Sequence, residues 1–122
     1  MSTNYREQNV NVGASATLLA RYEVQGAGIL TLSLTNKGLN PLSAFELRAV
    51  GAGENQPAVT IKTGGFTVPD LHALFATGEP ANLAAGSTVM LYLNVALVKA
   101  VEFWASSGSG TTVAIAAEGH EA

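Results

Sequence analysis

The sequence predicts an all-β protein, an antiparallel β-sandwich of about seven to eight strands. Three observations carry this. Apolar and polar side chains alternate with a period of two over several short segments, most cleanly in 87–95, 99–106 and 111–117, the spacing of strands with one buried face. Clusters of Gly, Pro, Asn and Ser punctuate these segments about every ten residues. Helical spacing surfaces only at Leu71, Leu74 and Phe75, in a stretch too short for more than a turn or two.

Taken in order, residues 1–8 carry no pattern and read as an extended arm, with a brief edge-strand alternation at Gln8, Val10 and Val12. Over 17–24, Leu18, Ala20, Tyr22 and Val24 share one parity, and the Gln25-Gly26-Ala27-Gly28 turn follows. Leu30, Leu32 and Leu34 alternate with Thr31, Ser33 and Thr35, and the threonines decide for strand over helix. Asn36-Lys37-Gly38 then turns the chain, with Gly38 free to adopt positive φ, and Pro41 keeps the segment out of a ladder. Phe45, Leu47 and Ala49 point inward from the next strand, with Glu46 and Arg48 outward. Val59 and Ile61 mark a short strand that Gly64-Gly65 ends. The stretch 66–77 reads either as a short helix opened by Pro69 or as an irregular loop with buried anchors. The last three segments supply Val89, Leu91, Leu93, Val101, Phe103, Val113 and Ile115 to the core face, and the Ser107-Gly108-Ser109-Gly110 turn makes the final two a hairpin. The division that follows is an extended N-terminal arm over 1–15, a single sandwich domain over 16–118 and a flexible C-terminal tail over 119–122.

Composition narrows the function. A chain of 122 residues holds one self-sufficient core. It has no cysteine, hence no disulfide framework and no thiolate nucleophile or metal ligand. A net charge of −3 without any Lys/Arg cluster argues against a nucleic-acid surface. No apolar run approaches the ~20 residues of a membrane helix, and the polar start lacks the apolar segment of a signal peptide. Charged residues make up 12% of the chain, against roughly 25% in a typical soluble domain. A surface built instead from Thr, Ser, Asn, Gly and Ala belongs either to an ordinary neutral domain or to one covered by other subunits, because interface cores are depleted in charge.

Catalytic chemistry finds little support. His120 lies in the expected tail. Asp70 and His72 offer a base with an orienting carboxylate, but no third ligand and no nucleophile motif accompany them, and loop packing is the plainer reading. Asp70 is the only aspartate and the glutamates are scattered, which leaves no calcium site and selects no carboxylate pair. The glycines lack the setting of a phosphate loop. No cofactor is implied.

The outer parity of the closing strands is the main functional clue. If these strands pair in succession, Met90 lies opposite Trp104 and Trp104 opposite Ala114, so that Met90, Tyr92, Trp104, Ala114 and Ala116 form one flat, apolar outer face. Such faces mark interaction surfaces. Either a partner covers it, or the chain covers it with its own N-terminal segment or the 66–77 stretch. Tyr5, on the arm, joins Met90, Tyr92, Trp104 and Ala114 in the candidate interface.

Two resemblances add to this reading. Leu30 to Gly38, followed by Leu42 and Phe45-Glu46-Leu47, looks like the strand–turn–strand signature of immunoglobulin-like modules, as does Leu83-Ala84-Ala85-Gly86-Ser87 leading into a late strand. The charge-poor, cysteine-free β-domain with a polar arm, with the stretches Leu19 to Gly28 and Ala105 to Val113, is similar to decoration (cement) and other structural proteins of tailed-phage virions. The resemblance implies a non-enzymatic structural protein of a phage particle, made in the host cytoplasm and located in the virion. It would bind the major capsid protein, another virion protein or its own symmetry mates as a homo-oligomer, through flat sheet faces and the arm, with no nucleic-acid or membrane partner. The alternative is a carbohydrate- or receptor-binding β-sandwich module.

Overall fold

The alternating segments resolve into eight strands: β1 (Ser2–Val12), β2 (Thr17–Glu23), β3 (Ile29–Asn36), β4 (Ala44–Gly51), β5 (Val59–Gly64), β6 (Thr88–Asn94), β7 (Val98–Ser106) and β8 (Thr111–His120). They come from a computed structural model that describes residues 2–24, 27–51, 59–64, 83–95 and 98–120. The strands form two four-stranded sheets, a first of order β1-β8-β3-β6 and a second of order β2-β7-β4-β5, and every pairing is antiparallel. The predicted β-sandwich is what the chain builds.

Its connectivity is that of an eight-stranded jelly roll rather than an immunoglobulin domain. Consecutive strands alternate between the sheets, and among the described strands only β4 and β5 are sequence neighbours that also pair. An immunoglobulin sandwich instead keeps several consecutive strands side by side. The expected hairpin across Ser107 to Gly110 is accordingly a crossing from one sheet to the other. The physical reason is that alternation reports which face of a strand is dry. That parity is the same whether the next strand lies alongside or on the opposite wall of the core.

Leu30, Leu32, Leu34, Val89, Leu93, Val113 and Ile115 line the core from the first sheet, and Leu19, Tyr22, Leu47, Val101 and Phe103 from the second. In β2 the expected parity breaks. A bulge between Leu18 and Ala20 adds a residue against β7, which buries Leu19 and leaves Leu18 40% exposed.

Both ends of the chain differ from expectation. The stretch read as an arm is β1, an edge strand paired with β8 from Ser2↔His120 to Val12↔Thr111. The tail histidine, His120, is within β8 and lies beside Ile29 of β3. Backbone bonding to β8 holds β1 in the sheet, a contribution that its polar side chains do not advertise.

One end of the sandwich is fastened by Asn36, which is 0% exposed. Its Nδ2 donates to the carbonyls of Asn40 (2.8 Å) and Leu83 (3.0 Å). Its Oδ1 accepts from the Gly38 N–H (3.1 Å) and the Thr111 hydroxyl (2.7 Å). The full capacity of the amide is thereby used. Gly38 is required here by crowding, since a Cβ would fall 1.9 Å from Thr111 Oγ1 and 2.8 Å from the Thr112 nitrogen. Among the described residues, the glycines with positive φ are Gly86 and Gly110, both at 81°.

Replacing Asn36 by Ala strands several buried donors and acceptors at once, and we expect it to lower the unfolding free energy by about 3 kcal/mol. Urea denaturation measures this, and a loss below about 1 kcal/mol would show that the amide is not the fastening.

Candidate interaction surface

The sandwich has two outer faces of opposite character, set by the parity of their strands. On the first sheet, register places Met90 beside Ser33 and Ser33 beside Ala116. The adjoining row runs Thr88, Thr35, Ala114, Asn9, and on the other side run Tyr92, Thr31, Glu118 and Asn4. Short hydroxyl, amide and methyl groups therefore tile the face. The Thr35 and Thr88 hydroxyls bond at 2.8 Å, and the Thr112 hydroxyl donates to Asn11 Oδ1 at 2.8 Å. Thr31 Oγ1 donates to the Glu118 carbonyl (3.3 Å) and lies 3.4 Å from His120 Nε2. Met90, 52% exposed, stands proud at the β6 edge.

At the opposite edge β1 carries a bulge. Arg6 and Glu7 together oppose Ala116, between the pairs Tyr5↔Ala117 and Gln8↔Ile115. Bulges re-aim side chains, and here the result is an open depression of about 640 Å³ bordered by Arg6, Glu7, Thr31, Ser33, Met90 and Glu118. Arg6 and Glu7 are exposed and form no ion pair among the described residues.

The second sheet's outer face is saturated with paired charge. Trp104 Nε1 donates to Glu102 Oε1 (3.1 Å), and the Arg48 guanidinium lies 4.2 Å from the indole centroid while pairing with Glu46. Arg21 bonds Glu102 Oε2 (2.7 Å) and Glu23 Oε1 (3.1 Å). These bonds, the one to Glu102 foremost, hold the exposed Arg21 guanidinium further above its ordinary range. Leu18, beside Trp104 in register, is the exposed apolar group of this face.

The candidate interface residues are thus separated. Met90, Tyr92 and Ala114 belong to the first sheet and Trp104 to the second, because β6 and β7 lie on opposite walls of the core. The single face expected from successive pairing does not form. Ala114 is 3% exposed, closed in between its neighbours Asn9 and Thr35. Tyr5 turns inward. Its hydroxyl donates to the Glu23 carbonyl at 2.5 Å, and its ring sits 4.7 Å from that of Tyr22, which ties β1 to β2 across the open side of the sandwich. Asp70 and His72 lie outside the described residues. Among the described residues, no three His, Asp or Glu side chains gather as a metal site. The Arg6–Glu7 bulge escaped sequence reasoning because it lies in a strand without apolar alternation.

No protein-family model matches the chain, and no curated protein matches it in sequence. Solved structures do share the fold. The SPBc2 prophage-derived protein YomS aligns with a TM-score of 0.53 and 14% identity, over 93% of this chain and 95% of that one. The PBSX exported protein XepA aligns at 0.58 with 10% identity, over 93% of this chain but 38% of XepA. The Yersinia pseudotuberculosis-derived mitogen aligns at 0.52 with 11% identity, over 100% of this chain and 90% of that one. At such identities the likeness concerns architecture alone.

One buried group sets a pH dependence. The Tyr22 hydroxyl has no hydrogen-bond partner among the described residues. Burial, reinforced by the neighbouring Tyr5, pushes its pKa from 10.0 up to about 12. Burial also raises Tyr5, with Glu23 adding to the effect. A folded pKa above the unfolded one means that this stability is fully present below pH 10 and is lost as pH rises through about 12. We expect an alkaline loss of about 2–3 kcal/mol from this group. Tyr22→Phe should remove most of it, without loss of stability at neutral pH. An unchanged alkaline decline in that variant, followed by denaturation at stepped pH, would contradict the assignment.

Proposed function

We propose that the chain is a non-enzymatic structural protein of a viral particle, in the first place a phage particle. It decorates or stabilises the assembly by seating the outer face of its first sheet on a capsid shell protein or on symmetry mates. The observation that carries this reading is that face itself. Its centre, formed by Ser33, Thr35, Ala114 and Ala116 with Met90 at the rim, carries no charge, and the Thr35 hydroxyl is bonded to that of Thr88. Such a surface loses little on dehydration and meets a partner without charge repulsion. The second sheet is a poor competitor, since its charges would have to be desolvated as a group.

Two further points support the reading. Jelly rolls are a common architecture of capsid proteins. The structures that share this fold also include one whose name describes a prophage-derived protein.

The test is particle occupancy. Ser33→Arg places a long cation at the centre of the neutral face without touching the core. Density-gradient particles from producing cells should contain the wild-type chain, and the variant should be depleted at least tenfold, which corresponds to about 1.4 kcal/mol of lost binding. Wild-type chain found only outside the particle band, or variant occupancy equal to wild type, would overturn the assignment.

A second reading has its own observation. The depression joins Arg6, which has no ion pair among the described residues, the carboxylates of Glu7 and Glu118, the hydroxyls of Thr31 and Ser33, and the apolar Met90. This mixture suits a neutral polyhydroxylated ligand such as a sugar. Saturation-transfer NMR with a panel of hexoses should then show contacts that Arg6→Ala abolishes, and silence across the panel would remove the carbohydrate role.

A further inference from the structure

The four edge strands of the sandwich are not alike. β1 carries an extra residue at Arg6–Glu7, β2 at Leu19, and β5 at Ile61 between the pairs Leu47↔Lys62 and Arg48↔Thr60. Each of these strands also contains charge: Arg6 and Glu7, Arg21 and Glu23, and Lys62. Bulges and charges are the devices that stop a sheet edge from recruiting another strand. β6 has neither. Its register against β3 runs without a shift from Ile29↔Asn94 to Thr35↔Thr88, and its sequence, Thr-Val-Met-Leu-Tyr-Leu-Asn, is uncharged and rich in strand formers.

The backbone shows which groups this edge offers. The Asn36 N–H donates to the Ser87 carbonyl, and the Val95 N–H donates to the Gly28 carbonyl. With the constant register these fix the alternation, so that Val89, Leu91 and Leu93 bond to β3. The N–H and C=O groups of Thr88, Met90, Tyr92 and Asn94 then point away from β3, and no described strand pairs with them.

We infer that the β6 edge pairs antiparallel with β6 of a second copy of this chain, about a two-fold axis at Leu91, joining two first sheets into one eight-stranded sheet. A two-fold contact must be self-complementary, and this segment is. About Leu91, Met90 falls opposite Tyr92 of the second copy in register, and Thr88 falls opposite Asn94. The same four residues whose backbone groups no described strand pairs with are the ones brought opposite each other, so the ladder closes without a register conflict. The absence of charge on β6 means that no like charges meet. The half-exposed Met90 loses its water contact in the dimer.

The inference deepens the assembly reading by naming a second copy as a partner at the sheet edge. The chain has no cysteine, so introduced thiols report cleanly. Met90→Cys and Tyr92→Cys are made as separate full-length proteins and oxidised alone and as an equimolar mixture. Directly paired Cα atoms at this kind of position lie about 5.5 Å apart, within disulfide reach, whereas the diagonal Met90–Met90 and Tyr92–Tyr92 relations lie at roughly 7–8 Å. The mixture should give a covalent dimer at least tenfold more abundant than either protein alone, and the wild-type chain should sediment as a dimer. No covalent dimer in the mixture, equal self-linking by either variant, or a monomeric wild-type chain would overturn the inference. A covalent dimer whose wild type never enters particles would remove the particle reading and leave this one standing. A particle-bound chain that never cross-links would do the reverse.

Discussion

The buried amide of Asn36 is the interaction on which one end of this molecule depends. Wherever a strand leaves one sheet for the other, its backbone groups lose their ladder partners at the edge of an apolar core, where an unpaired donor or acceptor is costly. Asn36 answers three such demands and one hydroxyl from a single side chain, binding the loop after β3, the segment before β6 and the first residue of β8. Its neighbours extend the scheme. The Ser107 hydroxyl donates to the Pro41 carbonyl at 2.7 Å, and Asn40 Nδ2 donates to the Gly110 carbonyl at 2.8 Å. With these crossings fixed, the registers of β3 against β6 and β8 are fixed too, and with them the composition of the neutral outer face.

The two outer faces solve the problem of a solvated sheet in different ways. The second sheet spreads charge over Arg21, Glu102, Arg48 and Glu46 and lays a guanidinium over its only indole. Each exposed pair contributes little to stability, but the network needs water around it and resists burial by a partner. The first sheet uses hydroxyls and methyls, with charge confined to its β1 border and to the Glu118–His120 end, where the two side chains lie 3.6 Å apart. A surface of that kind is wetted well enough to stay dissolved and is dried at little cost.

What could be read from the sequence was parity. Leu30, Leu32 and Leu34, and likewise Val89, Leu93, Val113 and Ile115, face the core as their alternation requires. What the sequence does not reveal is which wall of the core each strand occupies, so successive pairing sets Trp104 beside Met90 although the core lies between their sheets. The bulge that exchanges Leu18 for Leu19 left no mark, because both residues are leucine. Asn36 reads as an ordinary turn residue through its local partners Gly38 and Asn40, since only the meeting of two distant segments adds Leu83 and Thr111. β1 is polar along most of its length because only one of its faces meets the core, at Tyr5, Val10 and Val12, and backbone pairing supplies the rest.

The pairing of β1 with β8 has a consequence for how the chain comes into being. β8 lies between β1 and β3, bonded to both, yet it is made more than seventy residues after either is complete. During synthesis β3 therefore waits first with both flanks unserved, then with one once β6 is made, and β1 waits without a ladder partner until β8. The first sheet closes late, across the largest loops the chain contains. A polar β1 that does not collapse prematurely, carrying a bulge and two opposite charges, suits that wait. The features that hide it from a hydropathy reading also keep it soluble until its partner emerges.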